Sequence, residues 1–143
     1  MPNKLQTLRS KAYQLQNGYC YYCNMPMWDK SPEPFALQYR VPISRINPLK
    51  CTAEHLDARK DGGKDSGENI VAACHFCNSH RHKSKIAKEP ERYKSKVQTR
   101  MHKKGWTTKL IPSYQWRRIE FGQKKDITSS DVAANAIVNE VDC

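Results

Sequence analysis

The chain has 143 residues, 38% of them hydrophobic, and a formal net charge of +11. That is enough chain for one domain with a small core, and no apolar run approaches the length of a membrane span. The charge is uneven: residues 80–125 hold fifteen Lys/Arg against three acids, while 126–143 hold four acids and no Lys/Arg. So dense a basic stretch calls for a polyanionic partner, since its charges otherwise repel one another.

Six cysteines suit either three disulfides or metal ligation. Residues 1–9 contain no apolar leader, so the expectation is a cytoplasmic chain in which paired Cys-x-x-Cys units bind metal.

Leu5, Leu8, Ala12 and Leu15 recur at helical spacing and predict an amphipathic helix over 4–16, stopped by Asn17-Gly18. The segment Tyr19-Cys20-Tyr21-Tyr22-Cys23 then reads as half of a zinc knuckle, its tyrosines covering the metal or touching a ligand. From 24 to 50 the chain is broken by five prolines, with one strand expected at Phe35–Val41. This lobe packs on the first helix, or else contacts DNA through Arg40 and Arg45.

Residues 52–59 read as a short strand, Asp61-Gly62-Gly63 and Ser66-Gly67 as turns, and 69–73 as a second strand. A helix is expected over 78–88 with Ile86 and Ala87 turned inward. A second, basic helix is expected over 90–104, with Tyr93, Val97 and Met101 on one face. Trp106, Leu110, Ile111, Tyr114, Trp116 and Phe121 supply apolar anchors between the cations. Ser129 or Ser130 caps a last helix through Val132–Val138, a candidate homodimer surface. Cys51 reads as a buried small residue and Cys143 as a free thiol. The whole is one domain, 1–143: an N-terminal helix, first knuckle and proline-rich lobe (1–50), a strand-strand-helix core (51–88) and a basic helical extension (89–143).

Cys20, Cys23, Cys74 and Cys77 supply two sulfurs each from two tight turns, which fits a closed four-thiolate zinc site; an iron–sulfur cluster has the same sulfur count. Between the pairs lie Glu54, His55 and Asn69, with Asn78 just after the second. Phosphodiester hydrolysis needs an activated water and a divalent cation on the phosphate. A histidine suits the proton transfer, and a carboxylate with an amide oxygen suits magnesium or manganese. Neighbours on a strand point to opposite sides, so Glu54 and His55 can share one centre only if the strand bends or ends there. The plainer alternative makes His55 a packed histidine and Asn69 and Asn78 turn and helix caps.

Cys20-Tyr-Tyr-Cys23, Ala-Glu54-His55-Leu, Gly62-Gly63, Asn69-Ile-Val and Cys74-His-Phe-Cys77-Asn78 together resemble the HNH nuclease family in its four-cysteine, zinc-supported form. The resemblance covers about residues 18–85. It implies an α+β fold with a ββα-metal core and flanking helices, and hydrolysis of DNA leaving 5′-phosphate and 3′-hydroxyl ends. By the resemblance His55 is the general base and Asn69 steadies the loop and the histidine. Glu54, where the family usually has aspartate, and Asn78 would be ligands of a catalytic Mg2+ or Mn2+. His82, four residues beyond Asn78 on the same helical face, is the reserve ligand.

Arg59, Lys60, Lys64, Arg81, Lys83, Lys85, Arg92, Lys96 and Arg100, with Lys88, Lys103, Lys104 and Lys109, are expected to track phosphates, which positions a duplex without reading its sequence. The settings considered are restriction or phage defence, a mobile element, or a nonspecific nuclease. The rival readings are a zinc-stabilised nucleic-acid-binding protein without activity and a basic scaffold for a partner protein.

Overall fold

A computed structural model describes residues 2–119. The expected 129–138 helix with its dimer surface, Phe121 and Cys143 lie outside the described residues. Six named elements follow in chain order: α1 (Lys4–Leu15), α2 (Pro32–Tyr39), β1 (Cys51–His55), β2 (Ile70–Cys74), α3 (His75–Arg81) and α4 (Pro90–His102). Short 3-10 turns occupy Ile43–Arg45, Asn47–Leu49, Arg59–Asp61 and Trp106–Leu110. The class is α+β, as expected, and no helix among the described residues is long and apolar enough to cross a membrane.

Asn3 caps α1 in a reciprocal box, its side chain accepting from the Gln6 amide at 2.9 Å while the Gln6 side chain accepts from the Asn3 amide at 3.0 Å. At the other end of α1, Gln16 continues the sheet with a side chain instead of a strand. Its Oε1 accepts from Ala72 N at 2.9 Å and its Nε2 donates to Ala72 O at 2.8 Å. These two bonds satisfy backbone groups of β2 that a two-stranded sheet leaves open.

β1 and β2 pair antiparallel, with Cys51 opposite Cys74 and His55 opposite Ile70. The core runs from Ala12 through the cysteine knuckle, Ile46, Leu49 and the two strands to Tyr93, Val97, Met101 and Ile111. The apolar stripe read on α4 is therefore the face that α4 buries, and its cations are left outward.

Three expectations need correction. Residues 35–41 are not a strand: 32–39 form α2, begun by Pro32, whose fixed φ suits a first helical turn, and ended by Arg40 at φ 55. The segment closes its backbone bonds locally, Arg40 N donating to Leu37 O at 3.3 Å and Val41 N to Ala36 O at 3.0 Å. The helix expected at 78–88 begins at His75 and ends at Arg81, because the second cysteine turn runs directly into it; Cys74 Sγ accepts from the Cys77 amide at 3.4 Å as its N-cap. Ile86 accordingly lies beyond α3 and is 82% exposed rather than turned inward.

Candidate active site

The four cysteine sulfurs lie within 4.8 Å of one another and all four residues are buried. Tetrahedral zinc with Zn–S of about 2.3 Å requires sulfurs ~3.8 Å apart, and Cys23 Sγ and Cys74 Sγ stand 3.9 Å apart. The donor set fits zinc. Backbone and indole N–H groups point at the sulfurs: Cys74 N to Cys20 Sγ at 3.3 Å, and Trp106 Nε1 to Cys77 Sγ at 3.2 Å. Such donors stabilise thiolate charge that a dry core would otherwise oppose.

α4 and the segment after it are tied to the same knot. Tyr93 Oη donates to Cys77 O at 2.6 Å, Gln98 Nε2 to Tyr22 O at 2.6 Å, and Trp116 Nε1 to Cys23 O. The cysteine cluster, α4 and the segment as far as Trp116 are thus packed together.

Beside the knot, an open cleft of about 320 Å³ is lined by Ala53, Glu54, His55, Ala58, Arg59, Lys60, Asn78 and His82. Glu54 and His55 reach it together because β1 stops at His55. Glu54 is only 1% exposed. Its Oε1 accepts from His82 Nε2 at 2.8 Å and faces Arg81 Nη1 at 3.3 Å, while its Oε2 is buried with no hydrogen-bond partner. A buried, unpaired carboxylate oxygen is costly unless a cation or donor meets it. It fits a hard divalent ion.

Asn78 sits one turn into α3, not at its start. Its Nδ2 donates to Thr52 Oγ1 at 3.0 Å and to Ala53 O at 3.2 Å. The Ala53 carbonyl can only accept, so it fixes the amide's orientation and directs the Asn78 oxygen away from it. Asn69 holds the loop closed. Its Oδ1 accepts from Asp57 N at 2.7 Å, and its Nδ2 donates to Asp57 O at 3.1 Å and Lys64 O at 2.9 Å. Gly63 permits this closure, because a Cβ there would stand 1.7 Å from Asp57 O.

Two side-chain roles were not read from the sequence. Asp65, on the glycine loop, places Oδ1 2.8 Å from His55 Nε2. An ionised carboxylate only accepts, so Nε2 carries the proton and Nδ1 of the neutral ring keeps its lone pair. Arg59 Nη2 also donates to both Asp65 oxygens, Oδ1 at 3.2 Å and Oδ2 at 3.0 Å. The His55 hydrogen bond, with Arg59 adding to it, holds the Asp65 carboxyl below its ordinary range. A carboxylate within a dozen residues of a candidate base was the available signal, but only loop closure brings them together.

Arg81 is the second. Expected among the phosphate-facing cations, it is instead buried, with 4% exposure. Nη1 donates to His55 O at 2.8 Å, Nη2 to Leu56 O at 2.8 Å, and Nε to Lys88 O at 3.0 Å. Sequence gives no sign of this, since an arginine at the end of a basic helix reads as solvated.

The other cations lie outside. Arg59 and Lys60 line the cleft, and Lys60 Nζ bonds the Lys85 carbonyl. Lys64, Lys83 and Lys85 are exposed, as are Arg92, Lys96 and Arg100, which stand four residues apart along α4. Hydrogen bonding and repulsion from the neighbouring Lys88 amine hold the Lys96 ammonium below its ordinary range. His80 is not aimed at the cleft: it stacks on Phe76 with centroids 3.9 Å apart and bonds Phe76 O at 2.8 Å.

Residues 20–84 match the family model described as HNH endonuclease. No curated protein and no solved structure matches the chain.

Proposed function

From the HNH endonuclease domain at residues 20–84, we propose that this chain hydrolyses DNA phosphodiester bonds, with His55 as the general base. The observation that carries the reading is one cleft shared by His55, Glu54, Asn78 and His82, in which the second oxygen of Glu54 is buried and unpaired. Glu54 and Asn78 would hold a single magnesium or manganese ion, with His82 in reserve. Bound there, the ion would withdraw charge from the scissile phosphate and its departing oxygen.

The chain's own residues do the rest. Asp65 takes the Nε2 proton in a hydrogen bond, so Nδ1 of His55 is the atom free to accept a proton from an attacking water. As that proton arrives, the Asp65 carboxylate stabilises the imidazolium. Asn69 holds the loop that carries Asp65, and Arg81 pins the backbone at His55 and Leu56 while facing Glu54. Arg59 and Lys60 stand at the mouth of the cleft, where a phosphate would enter.

The outward stripe on α4 supports a nucleic-acid partner. Lys88 and Lys96 crowd each other, and a phosphate between them would offset the repulsion. The structural zinc would have no catalytic part, because a four-thiolate site leaves no open position.

The test compares wild type and His55→Ala on plasmid DNA with magnesium or manganese. Nicking by wild type that His55→Ala abolishes, with gel retardation preserved, supports the reading. Retardation without cleavage by wild type across divalent ions would replace it with the non-catalytic nucleic-acid-binding protein.

A further inference from the structure

An aromatic concavity lies outside the cleft. A cavity of about 430 Å³ opens between α1, the first cysteine turn and α2, lined by Tyr13, Tyr19, Trp28, Phe35 and Tyr39, with Asp29 and Lys30 among its polar residues. Its volume falls within the range of small-ligand sites.

The walls are held from behind. Tyr13 Oη donates to Met27 O at 3.2 Å, and Trp28 Nε1 donates to Ile46 O at 2.8 Å. Phe35 and Tyr39 meet at 4.7 Å between ring centroids. Gly18 adopts φ +79, and a Cβ there would stand 3.1 Å from Tyr13 Oη, so a side chain at this position would displace the ring.

A third concavity lies along β1, between this cavity and the cleft in residue order. That one is lined by Arg9, Asn47, Lys50, Thr52, Ala53 and His75 among others, and it shares Ala53 with the cleft. At its other end, Arg9 Nη2 pairs with Asp29 Oδ1 at 3.2 Å, and Lys50 Nζ lies 5.6 Å from the Trp28 ring centroid. Arg9, Lys50 and His75 therefore line the surface between the candidate cleft and the aromatic cavity.

We propose that the cavity between α1 and α2 is a nucleobase subsite, which receives one unstacked base of the strand whose backbone runs along β1 through the cleft. The inference rests on the nuclease reading and adds a determinant of substrate preference to it. Aromatic walls take any base by stacking, and a carboxylate beside them can accept from an exocyclic amine. Trp28 bridges to Lys50, and Lys50 is five residues from His55 along β1. At ~3.4 Å per residue the subsite is about 17 Å from the base. Phosphates are ~3.4 Å apart along the axis of a stacked duplex and about twice that along an extended strand, which puts the recognised base about two to five nucleotides from the cut.

The experiment uses the full chain carrying His55→Ala, which blocks cleavage, and oligonucleotides with 2-aminopurine placed at each position in turn. The expected result is a severalfold fluorescence change at one position only, about two to five nucleotides to one side of the wild-type cut, and its loss in a Tyr39→Ala, His55→Ala double variant. Zinc content and melting temperature establish that the double variant is folded. A flat profile across all positions, with the oligonucleotide bound in a retardation gel, overturns the subsite and leaves the nuclease reading intact. If wild type neither binds nor cuts, it is the nuclease reading that fails.

Discussion

The guanidinium of Arg81 donates to the carbonyl oxygen of His55 at 2.8 Å, which ties the last turn of α3 to the residue that ends β1. The same group donates to Leu56 O and Lys88 O and faces the Glu54 carboxylate, so one buried cation braces both a candidate base and a candidate metal ligand. Arg81 and Glu54 are charges that remain in the interior because each meets the other.

Arg81→Ala strands the Glu54 carboxylate and three carbonyls. The expected loss of stability is ~3–5 kcal/mol, the range for breaking a buried ion pair from one side. Urea unfolding followed by circular dichroism measures it. Arg81→Lys keeps the charge but not the forked geometry, and should recover only part of the stability. A loss below about 0.5 kcal/mol in Arg81→Ala, the usual range at exposed sites, would mean that the side chain is solvated.

His55→Ala should lower the cleavage rate by about 10²–10⁴-fold, the contribution typical of a general base. Binding to the same DNA, read by fluorescence anisotropy, should stay within about twofold, because the ring supplies one neutral contact among many charged ones. A drop in affinity that accounts for the whole loss of cleavage would assign His55 to binding.

The His55–Asp65 pair makes stability depend on pH in a stated direction. The folded-state pKa of Asp65 is depressed, first by its hydrogen bond to His55 and then by Arg59. Its contribution is therefore present above the unfolded carboxylate pKa of about 4 and fades as pH falls through the lower folded value. Wild type and Asp65→Asn should differ in urea midpoint above about pH 5 and converge as pH falls through the depressed folded-state value. Equal midpoints at every pH would mean that the pair does not persist in solution.

Removal of the zinc should unfold the chain and not merely slow it. Structural zinc contributes ~10–16 kcal/mol of apparent binding free energy in small zinc domains at neutral pH. The sulfurs here also anchor Trp106 and the first turn of α3. Dialysis against a chelator, or Cys77→Ala, should abolish the cooperative melt, with one equivalent of zinc lost by atomic absorption. A sharp melt in zinc-free protein would contradict this.

The α4 stripe should set the salt dependence of DNA binding. Each of Arg92, Lys96 and Arg100 that contacts a phosphate adds ~0.9 to the slope of log K against log salt, so single alanine variants should lower it by about that amount. Arg81→Lys should leave the slope unchanged, since its guanidinium faces carbonyls. The measurement is a salt titration by anisotropy.

The sequence by itself settled the parts governed by short-range chemistry. The cysteine pairs fix the metal knot because two Cys-x-x-Cys turns bring four sulfurs together almost regardless of what separates them. The spacing of Tyr93, Val97 and Met101 gave α4 its buried face, and Leu5 to Leu15 gave α1, because helical periodicity is written in neighbours three and four residues apart. The same local reading went astray at 35–41, where Pro32 starts a short helix that Arg40 ends, and at 78–88, where a helix begun by the cysteine turn also ended early.

Only the tertiary structure decided what Arg81, Asp65 and the second oxygen of Glu54 do. Arg81 looks like any solvated cation until β1 supplies carbonyls for it, and Asp65 is one more loop acid until Asn69 and Gly63 close the loop beneath His55. Those partners lie ten to twenty-seven residues away along the chain. No local propensity encodes such distances, because they are set by how two short strands and a helix pack around the same four sulfurs.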